Sequence, residues 1–277
     1  MNKTKYRLGI ILFIVVYYVS GILLQFINGI GAGMVDYMIH SIINVAMYIV
    51  FILAFGLKKS LRFNLKSLGE GIVVGGAFTV WTVFNIFYYI IRGIKEYGTP
   101  LMETKGIIIF VIAITIGAGM GEEFLTRGVL FNFIRSAIGN TKAGIITAMI
   151  IPSIAFGLLH LGNLSGCSDP TPVYAQVIYA IGIGFLFNAV YVRCGNIWAC
   201  SILHAAFDLS VMVYFCIFRN EGLEGLGSLV AEWLGYDALI LKGVAITVGC
   251  FAVGLFLIRD SKLQKCIERY ENEALEN

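Results

Sequence analysis

Charge is what this chain has least of. Lys, Arg, Asp and Glu make up 13% of its 277 residues, and 58% are hydrophobic. The mean hydropathy is +0.85. Soluble globular proteins are about a quarter charged, so this scarcity excludes an ordinary soluble domain and points to an integral membrane protein. No polar stretch is long enough for a second folded domain. The net charge of +3 is too small to suggest a nucleic-acid partner and fits loop charges set against anionic lipid. The six cysteines contain no CxxC and no zinc-site spacing, and they imply no disulfide framework. They read as small packing residues, with Cys167 alone in an expected loop. No internal repeat is visible, which argues against a secondary transporter. The basic N-terminus (Lys3, Lys5, Arg7) leads into an apolar run from Leu8 to Ile27. That run is too long for a signal peptide and no A-x-A site follows it, so it reads as a retained first span.

A membrane span needs about 20 apolar residues at about 1.5 Å of rise each. Eight segments qualify: 8–28, 35–57, 70–91, 106–135, 142–162, 172–193, 196–218 and 237–258. The expected fold is therefore all-α, a polytopic bundle of about eight transmembrane helices. It divides into N-terminal spans (1–105), a central helical core (106–218), and an outer loop, last span and charged tail (219–277), the tail expected to form a short surface helix. With the N-terminus in the cytosol, the inner side holds 14 Lys and Arg and the outer side 5, with Arg127 left inside a span. The positive-inside rule then puts both termini in the cytosol of a cell-membrane protein. Gly117, Gly119 and Gly121 in span four and Gly182 and Gly184 in span six suggest that these two spans pack closely.

Histidine is nearly as scarce as charge: there are three. Two lie in polar clusters within apolar sequence, where ionisable groups are costly and mark function. The clusters are Glu122-Glu123-Phe124-Leu125-Thr126-Arg127, Phe156-Gly157-Leu158-Leu159-His160 and His204-Ala205-Ala206-Phe207-Asp208. Residues four apart share a helix face, so Glu123 and Arg127 read as a structural ion pair. Glu122 points elsewhere without that compensation, which suits a general base. His204 and Asp208 share a face of span seven. Counted from the inner ends of their spans, Glu122, His204 and Asp208 lie at roughly 12–20 Å and His160 at roughly 27 Å, so convergence requires span five to tilt, with Pro152 the natural place, or different boundaries. A carboxylate, two imidazoles and a second carboxylate suit water activation: Glu122 with His160 takes a proton from water, and His204 with Asp208 stabilises an oxyanion. Metal ligation stays open beside it, with zinc on Glu122, His160 and His204. No HExxH is present.

The three motifs together, EExxxR, FxxxH and HxxxD on successive helices, resemble the CPBP family of intramembrane endopeptidases (CAAX proteases and bacteriocin-processing proteins, also called the Abi family). The resemblance spans roughly residues 106–215. It implies a hydrolase acting on a membrane-associated peptide or protein, with Glu122 and His160 activating water and His204 and Asp208 on the oxyanion side. Asp208 stands where many members carry Asn, and Phe124-Leu125-Thr126-Arg127 replaces a more usual Phe-Phe-Arg run, with Arg127 still in register. Members are commonly labelled metalloproteases, while a metal-free glutamate mechanism has been argued for others. The alternatives are a non-catalytic bacteriocin-immunity or peptide-binding protein on the same fold, and a proton-coupled transporter. His40 reads as structural. Tyr17-Tyr18 and Tyr88-Tyr89 read as packing or interface anchors, Asn85 and Asn188 as interhelical hydrogen-bond partners, and Gln176 as either a partner or a cavity residue.

Overall fold

A computed structural model describes residues 3–25, 33–165, 168–220 and 226–275. The expected loop cysteine, Cys167, and the acidic Glu221 and Glu224 lie outside the described residues. Within them the chain is helical, with no strand, and eight helices are long and apolar enough to cross a membrane. These spans are Lys3–Ile22, Met34–Ala54, Leu65–Tyr97, Thr104–Ile138, Lys142–Leu164, Thr171–Cys194, Ile197–Phe218 and Leu239–Leu257. The protein is a polytopic helical membrane bundle. Two further helices flank span eight: Leu226–Leu234 before it and Asp260–Leu275 after it.

Burial sorts the spans into a centre and a periphery. In spans six and seven, 72% of the most apolar stretch is buried, against 17% in spans one and eight. Span six packs against spans five and eight, span seven against spans three and four, and span two against span four. The peripheral spans turn Leu8, Ile11, Val73, Val80 and Phe256 outward, as a lipid-facing surface requires.

Small residues set the closest approaches, but not the one expected. Gly119 lies against span seven, where an added Cβ would sit 2.8 Å from Ser201 O and from Ala205 Cβ, and Gly117 lies against Tyr37 of span two. Gly182 meets Thr247 of span eight, and Gly184 meets Phe156 and Ser153 of span five. The glycines of spans four and six thus face other neighbours. Their direct link is polar instead, from Arg127 Nη2 to Gly184 O at 2.6 Å. Asn188 of span six donates to Met149 O and Ser153 Oγ of span five. Asn85, expected to play the same part, is buried but its Nδ2 has no partner among the described residues.

Span four is wound wide over Thr115–Glu122 and Phe124–Phe131, two π-helical stretches. Such stretches concentrate at functional sites. Side chains occupy the backbone acceptors around them: Thr126 Oγ1 donates to Glu122 O at 2.5 Å, and Asn132 Nδ2 donates to Arg127 O at 2.7 Å and to Tyr191 Oη at 3.0 Å. Span three is interrupted at Gly76 (φ 49°), and Thr79 Oγ1 donates back to Ile72 O at 2.9 Å across the break. The tail helix lies against the end of span six, where Arg269 donates to the carbonyls of Val192 (2.8 Å) and Arg193 (3.2 Å).

Candidate active site

The second carboxylate of span four holds the site together. Glu123 is fully buried, and its Oε1 accepts from Arg127 Nη1 at 2.9 Å and from His204 Nδ1 at 2.8 Å. Arg127, also fully buried, donates further to Thr126 Oγ1 at 2.6 Å and to Gly184 O. Its guanidinium lies 5.8 Å from the ring centre of Phe156 and 5.6 Å from that of Phe187. A buried charge is tolerated when it is paired and hydrogen-bonded, and here one carboxylate ties span four to its own next turn and to span seven. The contact to His204 crosses between helices, so spacing along the chain carried no trace of it.

Glu122 turns the other way. Its side chain is 34% accessible, against 0% for Glu123, and it lines a cavity of about 330 Å³ together with His160, His204 and Asp208. His204 Nε2 is 3.7 Å from Glu122 Oε2 and 3.9 Å from Asp208 Oδ2. These distances leave room for a bridging group and are too long for direct hydrogen bonds. Because a carboxylate only accepts, Nδ1 of His204 carries a hydrogen, and Nε2 is the atom offered to the cavity.

His160 reaches the same cavity from span five. It follows the α-helical part of that span, Lys142–Leu159, and opens a short 3-10 turn. Its Nδ1 is 2.9 Å from Phe156 O. A carbonyl can only accept, so Nδ1 is the donor and Nε2 is left as an acceptor. The Phe156 ring stands edge-on to both imidazoles, 4.9 Å from His160 and 5.7 Å from His204. Span four runs to Ile138 rather than ending at residue 135, so Glu122 stands 16 residues from its C-terminal end, and it lines the same cavity as His160 despite the difference in depth counted along the chain.

The zinc reading meets a geometric obstacle. Among the described residues, no group of three or more His, Cys, Asp or Glu side chains is arranged to hold a metal ion. The obstacle is spacing alone, because Nδ1 of His204 is held by Glu123 and Nδ1 of His160 by a carbonyl, which leaves each Nε2 open as in metal-ligating imidazoles. Glu122, His160 and His204 as placed do not fit a ligand set.

The cavity is wider than a space between spans four, five and seven. Spans one, two and six and the Leu226–Leu234 helix also wall it. Tyr17, expected to be an anchor, lines it, while Tyr18 is 68% exposed. Gln176 lines it too and accepts from Asn163 Nδ2 at 2.9 Å. Span two contributes Tyr37, Ser41, Asn44 and Tyr48. Their spacing of four, three and four is the period of one helix face. That polar stripe in an apolar span was the signal through which they could have been found.

No curated protein and no solved structure matches the chain. One family model does, the type II CAAX prenyl endopeptidase Rce1-like model, over residues 104–210. That stretch contains Glu122, Glu123, Arg127, His160, His204 and Asp208, and it is similar to the Rce1-like type II CAAX prenyl endopeptidases.

Proposed function

We propose that this protein is an intramembrane endopeptidase that hydrolyses a peptide bond of a membrane-associated peptide or protein. The family supports a CAAX-type membrane protease in general. The observation that carries the finer reading is that Glu122 and Asp208 flank His204 Nε2 at 3.7 and 3.9 Å in one cavity with His160.

The chemistry follows from which atoms are free. Water lies between Glu122 and His160. Glu122 takes one of its protons, while Nε2 of His160 accepts the other hydrogen and aims the oxygen lone pair. The hydroxide adds to the carbonyl carbon. The oxyanion forms opposite, where His204 Nε2 donates to it, which requires the ring to carry both protons. Glu123 holds that ring from behind. Asp208 contributes as a protonated carboxyl or through a water, since an ionised aspartate donates nothing. The proton on Glu122 then passes to the departing nitrogen as the C–N bond breaks, so water is divided between the two products. The residues supply each step without a metal ion.

The test is a map of new peptide N-termini in native host cells carrying the wild type or Glu122→Gln at equal folded expression. Termini present only with the wild type support proteolysis and give the cleavage sequence. Indistinguishable maps overturn it in favour of a peptide-binding or immunity role. On purified protein, treatment with a metal chelator is expected to leave turnover unchanged. Loss of activity that returns with zinc would show that the ligand geometry rearranges around a metal.

A further inference from the structure

Span six turns one face to the cavity. Gln176, Tyr179, Ala180 and Ile183 line it, at the three- and four-residue spacing of a single helix face. Tyr179 is buried, at 7% exposure. Trp233 of the Leu226–Leu234 helix stands edge-on to its ring at 5.4 Å. The same indole packs on Phe207 at 5.9 Å, the residue before Asp208. The phenol is thereby held beside the turn of span seven that carries Asp208.

Its hydroxyl has a definite polarity. Gln176 Oε1 accepts from Asn163 Nδ2 at 2.9 Å, which turns the Gln176 amide nitrogen to the Tyr179 oxygen, its side-chain partner. A phenol oxygen that accepts there keeps its O–H for another acceptor. Of the ionisable groups, Asp208 acts on this hydroxyl most strongly and Glu122 next. Around Tyr37 the order is reversed. Tyr179 therefore belongs to the Asp208 side of the cavity.

Resting on the endopeptidase reading of this cavity, we infer that Tyr179 is a further catalytic residue whose phenol donates to the oxyanion alongside His204 Nε2, with Gln176 and Asn163 positioning it. Asp208 donates only while it carries a proton, whereas an ordinary phenol keeps its proton to about pH 10. As hydroxide adds to the carbonyl carbon, the C=O π electrons move to the oxygen and the two donors meet that charge. The phenol proton is shared, not transferred, and the hydrogen bond loosens when the C–N bond breaks and the carbonyl re-forms. Asn163 lies in the same 3-10 turn as His160, so one amide pair joins the water-activating imidazole to the oxyanion donor.

The experiment uses the full-length protein in lipid nanodiscs and an internally quenched peptide carrying the sequence cut in the N-terminal map. Tyr179→Phe keeps the ring against Trp233, so melting should not change. Its kcat should fall about a hundredfold, with KM moving less than about threefold, as for an interaction made only in the transition state. Gln176→Met keeps the phenol without its orienting amide and should cost about tenfold in kcat. Asp208→Asn supplies the read-out that a structural tyrosine would not move. An amide there donates without needing a proton, so Tyr179→Phe should cost about tenfold less in that background than in the wild type. Full kcat in Tyr179→Phe overturns the inference alone, as do equal losses in the two backgrounds. If Tyr179→Phe does not accumulate, Gln176→Met carries the same comparison. A peptide left uncut by the wild type overturns the endopeptidase reading and the inference with it.

Discussion

Glu123 has two partners on opposite sides, and they make it the least replaceable carboxylate in the chain. In Glu123→Gln an uncharged amide faces Arg127 at zero accessibility. Breaking a buried pair by removing one partner costs about 3–5 kcal/mol, so folded yield and melting temperature in detergent should both fall. A variant that accumulates and melts like wild type would remove the clamp. Glu122→Gln should leave melting intact, because that side chain is the accessible one of the two. At this scale the sequence was readable where partners sit four apart on one helix, as Glu123 and Arg127 do. It was silent on His204 and Glu123, which are 81 residues apart and meet only once two spans have packed.

Span four shows how a helix presents adjacent carboxylates to different surroundings. Its glycines admit span seven and the Tyr37 ring, and its wide winding changes which residues stack. Existence and order of the spans were legible from apolar runs, since burial in lipid leaves a compositional mark, but not their full length: span three runs Leu65–Tyr97 where 70–91 was expected. Winding, the break at Gly76 and the partners of each glycine were not, because they depend on the neighbour's shape. Gly119→Val is expected to force spans four and seven apart, lowering both the melting temperature and any hydrolytic activity. Gly249→Ala, where an added Cβ meets nothing within 4 Å, should not destabilise and can gain up to about 1 kcal/mol from the better helix propensity of Ala. Equal melting of the two variants would mean that the approach at Gly119 does not set the spacing of the site.

For the molecule as a whole, the loops carry the orientation and the buried centre carries the chemistry. The imbalance of basic residues predicts both termini in the cytosol. Reporter fusions should show a cytosolic reporter active after Asn277 and an externally active one in the connection following Phe218. The reverse pattern would invert the topology and with it the side from which the cavity is reached. The exposed Lys142–Asp260 pair, at 60% and 82% accessibility, is of the kind that contributes under about 1 kcal/mol. Lys142→Ala should therefore leave melting nearly unchanged, and a large drop would assign that contact a structural role.

Arg269, which closes the carbonyls of Val192 and Arg193, has a consequence for biogenesis. The C-terminal end of span six, the most enclosed helix of the bundle together with span seven, is completed by a residue translated some 75 positions later. Until the ribosome has delivered the tail, those two acceptors must be served by water or lipid headgroups. A chain truncated after span eight would thus insert all its spans and still lack the clasp that finishes its centre, and a fusion partner on the tail would act at a distance on the helix that grips Arg127.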